Sequence, residues 1–292
     1  MSTITPKPFM FDTFKNRLEI TGMLTTVTAL RISKGRSTEP IGSDLPVIKD
    51  ALGRPLIPGS SFKGALRSRL ESFLRGIDPN LAEDPANYTT STRNNQVKDL
   101  KNEHKNNDFE LTQELIKITD DIGSLFGSPW MASKFQVRDL TVQPDAWFGQ
   151  YQERDGVAID RDTETAADGK LYDFQVVPAG TPFDFKAVVE NAHDWELGLL
   201  MIGLHQFETE QIALGGARSR GLGVVKLDIK EMNWVDVENH PELLLEYLKK
   251  LVKGETAYKN VADAQKNKWV EKLIDRLTPK QTKSSETITQ TQ

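Results

Sequence analysis

Two segments of the chain, far apart in sequence, carry side chains and backbone suited to binding an anion. Residues 58–69 read PGSSFKGALRSR, and a helix beginning after the proline would present free backbone N–H groups to a phosphate. Ser60 or Ser61 would cap this helix, while Lys63 and Arg67 share one of its faces. Because a lysine in the first turn opposes the helix dipole, a bound phosphate would compensate for it. The alternative is an ordinary capped helix with solvated basic side chains.

The second segment, residues 214–223, reads LGGARSRGLG and leads directly into a strand with regular alternation. Glycines let a backbone approach a ligand closely, and arginine and serine supply forked and single hydrogen-bond donors. A nucleotide backbone is the ligand that this pattern favours. A dinucleotide-binding fold is disfavoured, because its glycines lie between a strand and a helix, whereas here a strand follows. The residues predicted to contact the ligand are Gly215, Gly216, Arg218, Ser219 and Arg220.

The net charge of −5 argues against a protein that is basic throughout, but the charge is distributed unevenly. Residues 31–69 contain eight Lys or Arg against three Asp or Glu, and residues 211–230 contain four against one. Residues 231–248 contain five acidic residues and no Lys or Arg. Two basic segments on an acidic protein can hold one anion if the fold brings them together.

The chain has no cysteine, which excludes disulfides, a thiolate nucleophile and a zinc site with thiolate ligands. This composition fits a reducing compartment, and we expect a cytoplasmic protein. The four histidines show no ligand-like spacing, so Mg²⁺ bound through oxygen atoms is the metal to consider. We expect no membrane partner, because the sequence has neither a signal-peptide pattern nor an apolar run long enough to span a bilayer.

The apolar periodicity predicts an α+β fold with the order strand, helix, strand, strand, helix, strand. This βαββαβ order is that of a ferredoxin-like fold, which many RNA-recognition domains share. The first strand is predicted to carry a bulge, because its apolar alternation changes phase after Leu24. Residues 78–107 are rich in asparagine and charge and predict a partly mobile surface insertion. Residues 278–292 lack apolar periodicity and predict a disordered tail.

Residues 220–227, RGLGVVKL, resemble a common RNA-recognition signature, except that Leu222, Val224 and Leu227 stand at its three aromatic positions. Stacking of bases on this strand is therefore excluded. RNA bound here would be held by its phosphates and sugars, largely without regard to sequence.

Two motifs resemble those of the RAMP superfamily, the repeat-associated proteins of CRISPR systems. Residues 41–50 (IGSDLPVIKD) and 53–64 (GRPLIPGSSFKG) are similar to its N-terminal motif, and GGARSRGLG is similar to its late glycine-rich motif. Residues 125–128 (LFGS) and 159–181 resemble, more loosely, the family's turn and its thumb. The similarity extends from about residue 18 to residue 229 and is greatest to the backbone subunits of type III effector complexes.

The resemblance implies one RAMP domain over residues 1–277, in which a ferredoxin-like palm carries an inserted lid, a protruding thumb hairpin and extra C-terminal helices. The expected palm comprises about residues 15–77, 123–150 and 181–232, the lid about 78–122, the thumb about 151–180 and the C-terminal helices about 241–277. The thumb is acidic, since residues 151–174 contain seven Asp or Glu against three Lys or Arg. We therefore expect it to project and to touch a duplex through its apolar residues.

The resemblance also implies partners and a site. The expected partners are CRISPR guide RNA, complementary target RNA, neighbouring RAMP subunits and other proteins of the effector complex. In catalytic relatives an aspartate after the first strand is required for metal-dependent cleavage of target RNA, and Asp44 occupies that position, where weakly bound Mg²⁺ is expected. Arg31 replaces a histidine that contacts the guide in several relatives. The implied RNA-binding residues are therefore Arg31, Ser60, Ser61, Lys63, Arg67 and those of the glycine-rich segment.

Three functions remain open at this point. In the first, the chain is an endoribonuclease within the assembled complex, which the aspartate at position 44 favours. In the second, it is a structural subunit that binds guide RNA, and Asp44 merely stabilises a turn. The third is a stand-alone endonuclease that processes precursor CRISPR RNA. This function is the least favoured, because such chemistry usually uses a histidine and neither basic segment contains one.

Overall fold

The structure is a computed structural model that describes residues 11–33, 35, 43–88, 90–159 and 161–278. Its strands are β1 (Asn16–Thr26), β2 (Leu56–Ile57), β3 (Phe135–Val137), β4 (Leu140–Thr141), β5 (Gln152–Ile159), β6 (Ala166–Val176), β7 (Pro182–Glu190), β8 (Val225–Asp236) and β9 (Lys259–Asn260). Its helices are α1 (Gly59–Ile77), α2 (Thr92–Glu103), α3 (Asp108–Ile118), α4 (Asp121–Phe126), α5 (Asp194–Glu208), α6 (Pro241–Lys253) and α7 (Asp263–Leu277).

The main sheet is built around β1, in which every second residue is buried. Strand β1 pairs antiparallel with β7 on one side and with β8 on the other, and the complete order is β3-β7-β1-β8-β9. The four strands β3-β7-β1-β8 have the arrangement of a ferredoxin-like fold, with α1 and α5 as its two crossover helices. The predicted βαββαβ order is therefore confirmed, and β9 extends the sheet by one strand.

The bulge in the central strands lies at a different place from the one predicted. The register between β1 and β8 shifts at Thr21 and Gly22, where Glu231 and Ile229 are the successive partners. The additional residue, Lys230, thus belongs to β8. The change of apolar phase after Leu24, which suggested a bulge in β1, instead marks the end of that strand at Thr26.

Aromatic residues join the two crossover helices to the inner face of the sheet. The ring of Phe62 in α1 lies 4.3 Å from that of Phe207 in α5 and 4.9 Å from that of Phe185 in β7, measured between centroids. All three side chains are fully buried. The apolar face of α1 is therefore the face that packs against the sheet.

The C-terminal helices contact opposite sides of this core. Helix α7 packs on α5, where the backbone of Trp269 lies against Gly198 and leaves no room for a side chain at that glycine. On the outer face of the sheet, the Tyr258 hydroxyl donates to Glu19 and also bonds Tyr247 of α6. This end of the outer face is therefore covered by the protein itself.

Residues 78–107 contain the helix α2, which the sequence did not predict. Ser91 caps this helix by accepting a hydrogen bond from the Asn94 N–H, and Val97 is its one buried residue. Such a helix has almost no apolar periodicity, which explains why the pattern missed it. Arg93 anchors the helix through Glu83 and Asp120.

Some predictions fall outside the described residues. These include the tail from residue 279 onward and residues 41–42 of the N-terminal motif. Within the described ranges, no helix combines the length and the apolar composition needed to cross a bilayer.

Candidate functional site

The strands β5 and β6 form a separate two-stranded hairpin whose base is fixed to the end of β1. Leu30 and Val177 exchange both backbone hydrogen bonds, at 2.9 Å and 2.8 Å. Val176 is fully buried and Phe174 nearly so. The inner end of β6 therefore has a fixed position beside the residues that follow β1.

The glycine-rich segment 214–223 forms a closed loop on these same residues. Its ends are joined where the Leu214 N–H donates to the Gly223 carbonyl at 2.8 Å, and the Gly223 N–H donates to Ala29 at 2.9 Å. The Gly216 N–H donates to the carbonyl of Arg31 at 2.8 Å. Contacts between backbones thus hold the loop against residues 29–31.

Two of these glycines are required by the fold. Gly215 has a φ of +75°, and a Cβ built there would lie 2.1 Å from the Arg31 carbonyl oxygen. Gly223 has a φ of +85°, and its Cβ would lie 2.0 Å from the Leu214 carbonyl oxygen. A side chain at either position would meet backbone atoms and also a strained backbone conformation. These glycines therefore allow the loop to approach the chain closely, and the predicted ligand contact of Gly215 stays a prediction.

A small apolar cluster lies under the loop and links it to the hairpin. Its members are Ala29, Phe174, Val176 and Leu222, with Leu45, Tyr172 and Ala217 packed against them. The guanidinium carbon of Arg31 lies 4.6 Å from the centroid of the Phe174 ring. Arg220 donates to the Tyr172 hydroxyl at 3.4 Å. Two of the predicted arginines thus contact two aromatic residues of β6.

Asp44 lies beside the edge of β6. Its N–H donates to Asp173 Oδ1 at 2.9 Å, and the Asp173 N–H donates to Asp44 Oδ2 at 3.4 Å. Because the Asp44 N–H donates to its carboxylate, the pKa of Asp173 lies below its usual value. Asp44 is half-buried, so part of its side chain faces solvent.

Four parts of the sequence therefore meet at the base of the hairpin: Arg31, Asp44, the segment 172–176 of β6 and the loop 214–223. Arg218, Ser219 and Arg220 are all exposed on this loop. Arg220 contacts Tyr172 and Asp44 contacts Asp173, so an arginine and a carboxylate reach adjacent residues of β6. Such a surface can bind phosphates along a nucleic acid strand and can place a carboxylate near one of them.

The N-terminus of α1 is not arranged as predicted. Pro58 is its N-cap, neither serine caps it, and Asp139 Oδ1 accepts the Gly59 N–H at 2.8 Å. A carboxylate of the protein therefore already occupies part of the positive end of the helix dipole. Ser60 is exposed and Ser61 is half-buried. The predicted serine cap is wrong. A carboxylate distant in sequence, that of Asp139, accepts the hydrogen bond at the start of the helix instead.

Lys63 and Arg67 bind other parts of the chain. Lys63 Nζ donates to Ser133 Oγ at 2.6 Å and to the Phe135 carbonyl at 3.0 Å, and burial lowers the pKa of Lys63 to about 8. The three guanidinium nitrogens of Arg67 donate to Glu71, to the Gly127 carbonyl and to the Tyr88 hydroxyl. Both side chains therefore brace α1 against its neighbours. Their predicted contact with phosphate stays a prediction.

Comparison with known proteins identifies the family. The family model described as the RAMP superfamily matches residues 23–226. The chain belongs to the RAMP superfamily. It is 30% identical over 232 residues to the CRISPR system Cms endoribonuclease Csm3 of Methanocaldococcus jannaschii, which covers 75% of this chain and 82% of the relative. It is 25% identical over 222 residues to the protein of the same name from Enterococcus italicus, which covers 75% of this chain and 94% of the relative.

The RAMP match extends from within β1 to the first residues of β8, so it includes every residue of the site described above. A third relative, the Csm3 of Mycobacterium tuberculosis, is 48% identical over 56 residues, which cover 18% of this chain and 24% of the relative. The α+β fold and the predicted family are thereby confirmed.

The sequence of this RAMP protein did not single out three residues that the structure places in the site. Tyr172 contacts Arg220, Phe174 contacts Arg31, and Asp173 is hydrogen-bonded to Asp44. The hairpin expected over about residues 151–180 includes this strand, but nothing in the sequence identified the neighbours of the strand. Asp173 was counted only as part of an acidic hairpin.

The site of this RAMP protein suits a weakly held Mg²⁺ ion. It does not suit an ion that protein side chains enclose completely. Within the described ranges, no three His, Asp or Glu side chains lie close enough together to hold a metal ion. Asp44 supplies a half-buried carboxylate that is held beside β6. Mg²⁺ commonly binds one or two carboxylates together with oxygens of a phosphate substrate, so this carboxylate suits it.

Proposed function

We propose that this RAMP protein is a backbone subunit of a type III CRISPR ribonucleoprotein, in which it holds guide RNA and cleaves complementary target RNA. One observation carries the proposal: Arg31, Asp44 and the loop 214–223 meet on one strand, β6. The three similar proteins, each named as a Csm3 endoribonuclease of a CRISPR system, support it. Neighbouring RAMP subunits and other proteins of the complex are its proposed partners.

Guide RNA is proposed to bind through its phosphates. Arg218, Ser219 and Arg220 are exposed donors on a loop whose backbone is fixed by Gly215 and Gly223. Leu222 is buried in the apolar cluster under this loop and presents no ring to a base. Contacts of this kind read the backbone and not the sequence, which suits a subunit that carries guides of many sequences.

Cleavage is proposed to occur beside Asp44. The 2′-oxygen of a displaced target nucleotide would form a bond to the adjacent phosphorus, while the bond from phosphorus to the 5′-oxygen breaks. The 2′-hydroxyl proton is lost and the 5′-oxygen gains a proton, so the products are a 2′,3′-cyclic phosphate and a 5′-hydroxyl. Carboxylates are weak general bases at neutral pH, so alignment of the two oxygens would supply much of the acceleration.

Asp44 is the residue that would hold Mg²⁺ in this site, together with phosphate oxygens of the target. Bound there, the ion would supply positive charge beside the phosphate that is cleaved. The role of the protein side chains is to orient that phosphate.

A structural subunit without nuclease activity is the second candidate. It is favoured by the hydrogen bond from the Asp173 N–H to Asp44 Oδ2, since this bond gives Asp44 a role in holding the loop to β6. A precursor-processing nuclease is disfavoured by the placement of the histidines. His104, His205 and His240 are each paired with a nearby glutamate, and His193 precedes α5.

Crosslinking tests the RNA-binding part of this proposal. The complex is assembled on guides of unrelated sequence that carry 4-thiouridine, irradiated, and analysed by mass spectrometry of crosslinked peptides. We expect crosslinks in residues 214–223 and near Arg31 for every guide. Crosslinks confined to residues 60–67 would contradict the proposed surface, and crosslinks that change with guide sequence would contradict backbone recognition.

A further inference from the structure

We infer that Asp173, on β6 of the hairpin, is the positioning residue that holds Asp44 in place for cleavage. This inference rests on the proposed function. It adds a second residue to the reaction, one that acts through Asp44 and does not itself touch the reacting atoms.

The segment around Asp44 is attached to β6 as a short additional strand. The Asp44 N–H donates to Asp173 Oδ1 at 2.9 Å, and the Gln175 N–H donates to the Leu45 carbonyl at 3.1 Å. Leu45 pairs with Phe174 in parallel orientation. The position of Asp44 therefore depends on the hairpin as well as on the end of β1.

The contact between the two aspartates is reciprocal. While Asp173 accepts from the Asp44 backbone, Asp44 Oδ2 accepts from the Asp173 backbone at 3.4 Å. The longer of these bonds orients the Asp44 carboxylate, and the shorter one fixes the backbone that carries it. Asp44 Oδ1 takes no part in either of these two bonds. Reactive groups need such support, because small displacements of an oriented group cause large losses in rate.

The hairpin offers a matched control for this contact. Asp155 on β5 lies directly opposite Asp173 in the register of the hairpin, and its side chain is exposed. Replacing Asp155 also removes one negative charge from this pair of residues. It leaves the hydrogen bond between Asp173 and Asp44 in place. A comparison of the two positions therefore separates the hydrogen bond from the charge of the hairpin.

The experiment uses complexes assembled with wild-type chain, Asp173→Ala, Asp173→Asn or Asp155→Ala. Single-turnover cleavage of saturating target RNA is measured at the site opposite this subunit. We expect Asp173→Ala to slow cleavage by about tenfold or more, as loss of a hydrogen bond to a charged group allows. The amide oxygen of Asn can still accept the Asp44 N–H, so Asp173→Asn should stay within about threefold of wild type. Asp155→Ala should match wild type.

A second measurement does not depend on cleavage. Hydrogen exchange of peptides that contain residues 43–47 reports directly on the Asp44 amide in the same complexes. We expect faster exchange in Asp173→Ala than in Asp173→Asn or in Asp155→Ala. Affinity for guide and target RNA should be equal in all four complexes.

The inference is overturned if Asp173→Ala cuts at the wild-type rate or if Asp173→Asn is as slow as Asp173→Ala. It is also overturned if Asp173→Ala loses guide RNA, because the residue would then be structural. A wild-type complex that never cuts at this site would overturn both the proposed function and the role of Asp173 in cleavage. If the Asp44 amide still exchanged faster in Asp173→Ala, the contact between Asp173 and Asp44 would have only a structural role.

Discussion

The carbonyl of Arg31 accepts a hydrogen bond from the Gly216 N–H at 2.8 Å, and thereby joins the residues after β1 to the glycine-rich loop before β8. The two segments lie near opposite ends of the part of the chain that matches the family. This contact lets one basic surface form on a protein whose net charge is −5.

The first prediction concerns the fit of this loop. Gly215→Ala places a Cβ 2.1 Å from the Arg31 carbonyl oxygen at a φ of +75°, so it should lower the free energy of unfolding by at least about 1–2 kcal/mol. Gly216→Ala is the matched control, because the nearest atom to its Cβ is 4.0 Å away. Urea denaturation of both variants measures the difference. Equal stability of the two would contradict the close approach of the loop to Arg31.

The second prediction concerns the exposed arginines of the loop. Replacing Arg218 and Arg220 with Gln should weaken guide binding similarly for unrelated guides, and should reduce the slope of log affinity against log salt by about 0.7 for each lost phosphate contact. Replacing Lys249 and Lys253, two exposed residues of α6, with Gln controls for the loss of two positive charges. Loss of affinity for a single guide sequence would contradict recognition of the backbone.

The third prediction concerns the buried ion pair between Lys134 and Glu196. Lys134 Nζ bonds both carboxylate oxygens, at 2.6 Å and 2.7 Å, and Glu196 also accepts from the His193 N–H at the start of α5. Lys134→Met leaves a buried carboxylate without its cation, so it should cost about 3–5 kcal/mol of unfolding free energy. Lys134→Met combined with Glu196→Leu should cost less than the sum of the two single changes.

Denaturation midpoints of these variants measure that coupling. Lys186→Met, at an exposed position of β7, is the control and should change stability by less than about 0.5 kcal/mol. A Lys134→Met variant as stable as this control would show that the pair does not hold α5.

The fourth prediction concerns pH and Lys63. Burial lowers the pKa of Lys63 to about 8 in the folded chain, below the value of about 10.4 for an unfolded lysine. Between these pH values the unfolded state binds more protons, so the free energy of unfolding should rise as pH increases from about 8 to about 10. Lys63→Met should lack this part of the rise. Identical pH profiles for wild type and Lys63→Met would contradict the structural role of this lysine.

The sequence predicted the sheet well because its strands carry regular alternation. The buried positions Leu18, Ile20 and Leu24 of β1 gave the period of two, and the apolar face of α1 gave the helical period. The glycine-rich loop was predicted because glycine and arginine are residue types with specific uses. Such signals are local, and a local pattern is sufficient to detect them.

The parts that were missed depend on contacts between distant residues. Asp139 lies far along the chain from Gly59, yet it supplies the anion that the first turn of α1 needs. The contacts of Lys63 were missed because the sequence does not show that Ser133 and Phe135 lie beside it. Asp173 was hidden in the same way, since only the fold brings it to Asp44.

The central claim is that Asp44 serves cleavage and not only the turn in which it lies. It is tested most directly by mapping the products of target RNA cut by complexes that contain wild-type chain or Asp44→Ala. We predict that the variant stops cleavage opposite this subunit, while guide and target affinity stay within about twofold, since removing a carboxylate does not remove any phosphate donor. Wild-type products should end in a 2′,3′-cyclic phosphate and a 5′-hydroxyl. Cleavage by Asp44→Ala at the wild-type rate, or no cleavage opposite this subunit in the wild-type complex, would contradict the account.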